Sequence, residues 1–162
     1  MSTAKSATKA LKARGWTLVT AESCTAGMIA AAMTDLAGSS DVFERGFVTY
    51  SNLSKTEMVN VPAPLIDSYG AVSEQVAAAM AQGALNHSAA EIAISVTGIA
   101  GPGGSEHKPE GRVCFGCATR DGKTHVETME FGAVGRANVR ANTVDYALGI
   151  VEQVAKHGMP LS

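Results

Sequence analysis

The sequence predicts an α/β protein: a three-layer α/β/α sandwich around a mixed, mostly parallel five-stranded sheet with one antiparallel strand. Three observations support this fold class. Apolar strand-like runs alternate with helical segments, one hairpin signal follows them, and a long helical segment comes last. The 162 residues are 46% hydrophobic and 5% aromatic, which suits one globular domain over residues 1–162 with a sizeable core.

The first sixty residues predict two strands and three helices. Residues 1–15 (MSTAKSATKALKARG) hold four basic residues and no acid; they weakly resemble a transit peptide and fit a short helix better. Next come a buried strand over residues 16–22, a helix over 27–36 that stops at Ala-Gly-Ser-Ser, and a second strand over 43–50. The run Ser54-Lys55-Thr56-Glu57 fits a capping box, so a short helix should begin there and stop before Pro62.

The rest of the chain predicts three strands and two helices. Ser73 can cap a helix that ends near Asn86, and the apolar run Ile92–Thr97 predicts a third strand. A glycine-rich loop over 98–111 follows. The Asp-Gly pair in Arg120-Asp121-Gly122-Lys123 predicts a hairpin between strands over 112–119 and 124–131. Apolar residues at helical spacing predict a last helix from Gly135 to about His157.

Charge, hydropathy and cysteine usage narrow the class of partner. The net charge of −2 makes a large nucleic-acid footprint unexpected. No apolar run approaches the roughly 20 residues of a membrane span, so no membrane partner is expected. Three cysteines without a framework spacing indicate a reducing, cytoplasmic setting.

Several apparent motifs fail on inspection. Cys114 and Cys117 have the spacing of a metal or redox pair, but residues three apart on a strand point to opposite faces. The loop over 98–111 lacks both the Gly-Lys-Ser/Thr of a Walker loop and the third glycine of a dinucleotide loop. It is either a pocket wall, which its glycines would let a ligand approach closely, or a bare connection. The histidines show no metal-ligand spacing: His87, His107, His125 and His157.

In open α/β sheets, ligands bind beyond the carboxyl ends of the parallel strands. The loops after Glu22, Tyr50 and Thr97 are therefore the candidates for a site. Ser23 lies where the first strand should pass into a helix, and unpaired amides at such a point suit a phosphate or a developing oxyanion. Its hydroxyl is either an N-cap or a nucleophile. Cys24 is either a thiol of lowered pKa or a small buried hydrophobe.

Two basic clusters have both a functional and an ordinary interpretation. Lys55, close after Tyr50, is either solvated or, if desolvated in a pocket, a base. Arg136 and Arg140 are four residues apart and share a helix face near a predicted N-terminus, where like charge is unfavourable. They either form ordinary salt bridges or hold an anion between them.

Six stretches together resemble one family over nearly the whole chain. They are TAESCTAG (20–27), TYSNLSK (49–55), GAVSEQVAAAMAQGA (70–84), SVTGIAGPGG (95–104), KPEG (108–111) and FGAVGRANVRANTVDYAL (131–148). The chain resembles the C-terminal domain family of the competence/damage-inducible protein CinA, in its stand-alone nicotinamide-nucleotide amidase (PncC) type. Two positions depart from the family pattern: Ala26 stands where the family usually has glycine, and Glu110 where it usually has valine.

The resemblance implies an activity. Members hydrolyse the carboxamide of nicotinamide mononucleotide, giving nicotinate mononucleotide and ammonia in pyridine-nucleotide salvage. The resemblance implies no metal or other cofactor, a cytoplasmic setting, a small-molecule nucleotide as partner and a homodimer or other homo-oligomer. The alternatives left open are a nucleotide-binding module that has lost catalysis, motivated by Ala26, and an amidase for another carboxamide.

The resemblance also favours Ser23 over Cys24 as the nucleophile. Lys55 would serve as base and then as acid toward leaving ammonia, with Tyr50 relaying or orienting, as in serine–lysine variants of the catalytic triad. The N–H groups of Cys24 and Thr25 would hold the oxyanion. Arg136 and Arg140 would hold the 5′-phosphate. Glu22 would orient a pocket cation or the substrate, and the other expected binding residues are Gly27, Asn52, Thr97, Gly98, Gly101, Gly103 and Gly104.

Overall fold

A computed structural model describes residues 3–160 of the chain. Helices and strands follow one another in the predicted order, with one additional α-helix and a short 3-10 helix over Ser39–Asp41. They are α1 (Thr3–Arg14), β1 (Leu18–Glu22), α2 (Met28–Thr34), β2 (Phe43–Val48), α3 (Asn52–Val59), α4 (Ala63–Tyr69), α5 (Glu74–Asn86), β3 (Ile92–Gly98), β4 (Arg112–Thr119), β5 (Thr124–Glu130) and α6 (Arg136–His157).

The five strands form one mixed sheet in the order β2-β1-β3-β4-β5. β1 pairs in parallel with both β2 and β3, whereas β4 runs antiparallel to β3 and to β5. Four strands therefore run in one direction and β4 alone runs against them. This confirms the predicted sheet, including its single antiparallel strand.

Helices cover both faces of the sheet, as the predicted three layers require. Alternate residues of a strand point to opposite faces. On β3, Ile94 and Val96 join a core cluster with α1, α2 and α6, while Ala93 joins a second cluster with α3, α4 and α5. The first cluster is the larger, and in it Phe115 packs against both Phe131 and Tyr146.

The main differences from the predicted elements lie between β2 and α5. The capping-box prediction at Ser54 is wrong: α3 begins at Asn52, and its N-cap is Ser51, whose hydroxyl accepts a hydrogen bond from the Ser54 amide at 3.0 Å. Both serines stand near a helix start, so sequence spacing alone did not distinguish them. Helix α4 was not predicted; it begins directly after Pro62, a residue tolerated at a helix start. The predicted cap at Ser73 is confirmed by a 3.2 Å bond from the Val76 amide.

The parallel strands end together at one edge of the sheet. Glu22, the last residue of β1, pairs with Val48 on one side and Val96 on the other. The segments that follow β1, β2 and β3 therefore emerge side by side, as expected for an α/β sheet. Within residues 3–160, no helix combines the length and apolar character needed to cross a membrane.

Candidate active site

A cavity of about 350 Å³ opens at the carboxyl ends of β1 and β3. Its walls come from the turn after β1, the start of α3, the glycine-rich loop after β3 and the first residue of α6. Most of the predicted site residues line it: Ser23, Cys24, Tyr50, Asn52, Lys55, Thr97, Gly98, Gly101, Gly103, Gly104 and Arg136. The loop over 98–111, which sequence reasoning left open, is thus a pocket wall.

Ser23 and Lys55 meet at the floor of this cavity. The Lys55 ammonium donates to Ser23 Oγ at 3.2 Å and to the Thr49 carbonyl oxygen at 3.1 Å. Lys55 is only 1% exposed, because the first turn of α3 directs it inward against the end of β1. This distance allows a proton to pass between the hydroxyl and the amine.

The environment of Lys55 favours its neutral form. Burial lowers the pKa of Lys55 from its ordinary value of 10.5, while the negative charge of Glu106 acts in the opposite direction. No carboxylate of the described residues hydrogen-bonds to the Lys55 ammonium, whose acceptors are a hydroxyl and backbone carbonyls. A lysine of lowered pKa next to a hydroxyl loses its proton more readily than a solvated lysine, as a general base requires.

Cys24 is not activated in the same way. Burial raises the pKa of its thiol to about 11. The expectation that a helix start would lower this pKa fails because α2 begins only at Met28, four residues beyond Cys24. Its thiol therefore stays protonated near neutral pH and is a poor nucleophile.

Glu22 has a structural position rather than a place in the cavity. The carboxylate is 1% exposed and accepts hydrogen bonds from the Thr25 hydroxyl at 2.5 Å and from the first amides of α2, Ile29 at 2.8 Å and Ala30 at 3.1 Å. It satisfies donors that would otherwise be orphaned at the helix N-terminus. Contrary to expectation, Glu22, Thr25 and Gly27 do not line the cavity.

The turn between β1 and α2 leaves two amides unpaired. Within residues 3–160, the N–H groups of Cys24 and Thr25 form no hydrogen bond to another residue, whereas the Ser23 amide donates to the Val96 carbonyl at 3.1 Å. The two free N–H groups directly follow Ser23 in the chain. Cys24 lines the cavity, whereas Thr25 is fully buried and does not, so the Cys24 amide is the candidate donor to the carbonyl oxygen of a substrate attacked by Ser23.

The two arginines of α6, which were expected to hold one anion together, have different contacts. Arg140 donates to the Cys24 carbonyl at 3.0 Å and to the Thr25 carbonyl at 3.3 Å, and it does not line the cavity. Through these two bonds it stabilises the turn after Ser23 from outside the cavity. Arg136 lines the cavity mouth and donates to the Gly101 carbonyl at 2.5 Å.

Tyr50 also differs from its expected role. Its side chain is 58% exposed, and its hydroxyl accepts a hydrogen bond from Arg136 at 3.0 Å. What lies near Ser23 and Lys55 is the Tyr50 carbonyl oxygen, at 3.5 Å from each. The phenol is therefore not placed to relay a proton between Ser23 and Lys55 in this arrangement.

The glycine-rich loop is held on both of its sides. Glu110 accepts a hydrogen bond from the Gly103 amide at 2.6 Å, and a side chain at Gly101 would clash with the Glu110 carboxylate. Lys108 donates to the carbonyls of Tyr69 at 2.9 Å and Val72 at 2.5 Å. Glu110, one of the two departures from the family pattern, thus stabilises the loop through its hydrogen bond with the Gly103 amide.

Ala26, the other departure, lies outside the cavity. Its side chain is exposed and does not line the pocket. Its φ of 48° falls in the left-handed region, which glycine adopts without strain. The usual glycine at this position is therefore explained by backbone conformation, and the added methyl group does not narrow the cavity.

Sequence reasoning missed two features of the site. The Thr49 carbonyl that accepts from Lys55 is a backbone group, so no side-chain pattern could indicate it. Glu106 lines the cavity from a loop that matched no motif. Within residues 3–160, no three His, Cys, Asp or Glu side chains lie close enough together to hold a metal ion.

Comparisons with known proteins place these features in a family. The CinA C-terminal domain family matches residues 1–155. The nicotinamide-nucleotide amidohydrolase PncC of Escherichia coli K12 is 51% identical over 141 residues, covering 86% of this chain and 85% of that protein.

Two solved structures are similar over nearly the full length. The competence/damage inducible protein CihA of Agrobacterium tumefaciens has a TM-score of 0.88 at 45% identity and covers 92% of this chain and 91% of that one. The competence damage-inducible protein A of Klebsiella pneumoniae has a TM-score of 0.92 at 37% identity, with 98% and 100% covered.

Proposed function

This chain belongs to the CinA C-terminal domain family, and from that membership we propose that it hydrolyses the carboxamide of nicotinamide mononucleotide to nicotinate mononucleotide and ammonia. The observation that carries the proposal is the contact of 3.2 Å between a buried lysine amine and the Ser23 hydroxyl inside a cavity. The name of the E. coli relative, a nicotinamide-nucleotide amidohydrolase at 51% identity, supports the substrate.

In the proposed first half-reaction, Ser23 Oγ attacks the carboxamide carbon and its proton passes to the neutral Lys55 amine. The new C–O bond places negative charge on the carbonyl oxygen, which the amide of Cys24 stabilises. The intermediate then collapses: the C–N bond breaks, and the Lys55 ammonium protonates the leaving nitrogen, which departs as ammonia. The products of this half are an acyl ester on Ser23 and a neutral Lys55.

In the second half-reaction, water replaces the serine hydroxyl. Lys55 takes a proton from water as the water oxygen attacks the ester carbonyl, and the Cys24 amide again stabilises the oxyanion. Collapse breaks the bond to Ser23 Oγ, which recovers its proton from Lys55. Nicotinate mononucleotide leaves and the site returns to its starting state.

The nucleotide end is assigned to Arg136. It is exposed at the cavity mouth, and a guanidinium can bind phosphate through two parallel, bidentate hydrogen bonds. Binding would exchange its contacts to Gly101 and Tyr50 for phosphate oxygens. Arg140 takes no part in this proposal, because it already contacts the carbonyls of the Ser23 turn.

The alternative of a binding module without catalysis was motivated by Ala26, and this motivation is removed because the Ala26 side chain lies outside the cavity.

A direct assay distinguishes an amidase from a binding module without catalysis. Purified protein is incubated with nicotinamide mononucleotide, nicotinamide riboside or nicotinamide, and ammonia and the acid product are quantified. The proposal predicts equimolar ammonia and nicotinate mononucleotide, with the unphosphorylated amides turned over more slowly. Saturable binding of the nucleotide without ammonia release would contradict it.

A further inference from the structure

Three charged side chains line the cavity within the described residues: Lys55, Arg136 and Glu106. The first two have roles in the proposed reaction, and Glu106 has none. We infer that Glu106 is a specificity residue that recognises the positive charge of a pyridinium ring, so that the site selects cationic pyridine nucleotides over neutral carboxamides. The inference rests on the proposed amidase function and assigns a determinant of its substrate class.

A strained turn fixes the position of Glu106. Ser105 and Lys108 form an antiparallel bridge through bonds of 3.0 and 2.8 Å, with only Glu106 and His107 between them. Both central residues have positive φ, 53° and 62°, as in the tight hairpin turn that Asn-Gly usually occupies. A residue with a Cβ is strained in this conformation. The turn is held regardless, since Lys108 is tied to the carbonyls of Tyr69 and Val72.

The Glu106 carboxylate is unpaired and directed at the cavity wall. It accepts no hydrogen bond from any described residue. Lys108, the neighbouring cation, donates instead to two backbone carbonyls. The carboxylate lies beside Gly70: a Cβ there would come within 2.6 Å of Glu106 Oε2. The segment after Gly70, Ala71 and Val72, forms part of the same wall.

The charges of the cavity match those of the proposed substrate. Nicotinamide mononucleotide carries a cationic ring and an anionic phosphate, and the cavity offers Glu106 and Arg136. Glu106 lines the same cavity as Lys55 and Ser23, and its negative charge raises the pKa of Lys55 against the larger effect of burial. A carboxylate there attracts the pyridinium ring, whose carboxamide must reach Ser23. A neutral ring would gain nothing from that charge.

The test compares two ligands of one shape and different charge. One is nicotinamide mononucleotide; the other is its benzamide C-nucleotide, in which carbon replaces the charged ring nitrogen. Dissociation constants are measured by calorimetry on the Ser23→Ala background, which prevents turnover, with and without Glu106→Gln. Glu57→Gln is the matched control, since Glu57 is an exposed carboxylate on α3 that does not line the cavity.

We expect Glu106→Gln to raise the dissociation constant of nicotinamide mononucleotide about fivefold, which is the order of one partly solvated charge pair. The dissociation constant of the neutral analogue should change by less than about twofold. The effect should shrink at high ionic strength. Glu57→Gln should change neither constant. Equal weakening of both ligands, no weakening of either, or no binding of the cationic nucleotide would overturn the inference. Absence of ammonia release by the wild type is a separate result, which contradicts the proposed function and leaves the binding comparison to decide on Glu106.

Discussion

Lys55 is a buried lysine whose partners are oxygen atoms without formal charge. Its ammonium contacts the Ser23 hydroxyl and the Thr49 carbonyl, and burial lowers its pKa. Such a group is costly to keep charged, since removal from water penalises the ammonium more than the amine. The same cost makes it a base at a pH where a solvated lysine would be protonated.

The pH dependence of turnover follows from this pKa. Because Lys55 must be neutral to accept the Ser23 proton, kcat/KM should rise with pH along a limb that ends below 10.4, the pKa of a free lysine. Lys55→Arg should abolish turnover, because a guanidinium stays protonated. Initial rates of ammonia release between pH 6 and 10.5 check this, and a limb centred at or above the free-lysine value would contradict it.

Stability should also depend on pH through Lys55. The folded protein holds this proton more weakly than the unfolded chain, so the unfolded state binds more protons between the lowered pKa and about 10.4. The contribution of Lys55 to stability therefore increases as pH rises through that window. Denaturant titrations of the wild type and Lys55→Met at several pH values check this. As pH rises through the window, the free energy of unfolding of the wild type should increase relative to that of Lys55→Met. A difference between the two proteins that does not change with pH would contradict burial as the cause.

Ala26 stores strain that glycine would release. Its φ is 48° and its side chain is exposed. Ala26→Gly should raise the free energy of unfolding by about 0.5–1 kcal/mol, the relief of left-handed strain less the added entropy of the unfolded chain. Because the methyl group lies outside the cavity, kcat and KM should stay unchanged. Urea denaturation and steady-state kinetics test both parts; a loss of stability would show that the methyl group packs favourably.

At the scale of elements, the Ser23 turn is held from two directions. Glu22 bonds to the start of α2, and Arg140 bonds to the carbonyls of Cys24 and Thr25 from α6. Residue types and spacing predicted that strand, turn and helix meet at Ser23. They could not predict the rotation of α6 about its axis, which places Arg136 at the cavity mouth and turns Arg140 toward the turn.

Glu22→Gln tests the cap on α2. The amide would present a donor to groups that are themselves donors, so the free energy of unfolding should fall by about 2 kcal/mol. Turnover should fall through kcat, because the adjacent Ser23 turn loosens, while KM changes little. Denaturation and steady-state kinetics are the measurements, with the exposed Glu57→Gln as control. A higher KM at unchanged stability would instead return Glu22 to the substrate site.

At the scale of the whole molecule, the alternation of strands and helices was sufficient to predict the layers. Two local patterns predicted β3, β4 and β5: the apolar run Ile92–Thr97 and the Asp-Gly hairpin signal. Both patterns depend on local chemistry, which the sequence contains. Helix α4 was not predicted because it is short, contains Pro64 and lies between Pro62 and Gly70. The pairing of Lys55 with Ser23 joins residues 32 apart in the chain, and only the folded sheet brings them together.

One cooperative domain is the corresponding prediction for the whole chain. Trp16 packs against the core cluster that contains α1 and α6, and its ring lies 3.9 Å from the guanidinium of Arg14. If residues 1–162 form a single unit, Trp16 fluorescence and far-UV circular dichroism should lose their native signals at the same urea concentration. Two separate transitions would contradict a single domain. Light scattering on the same samples checks the expected homo-oligomer.

The central claim is that Ser23, and not its neighbour Cys24, attacks the substrate. The most direct test is kcat/KM for ammonia release from nicotinamide mononucleotide by the wild type, Ser23→Ala and Cys24→Ala. We expect Ser23→Ala to lose roughly three to six orders of magnitude, as removal of a nucleophile does, and Cys24→Ala to stay within about tenfold of the wild type. Near-full activity in Ser23→Ala would contradict the account.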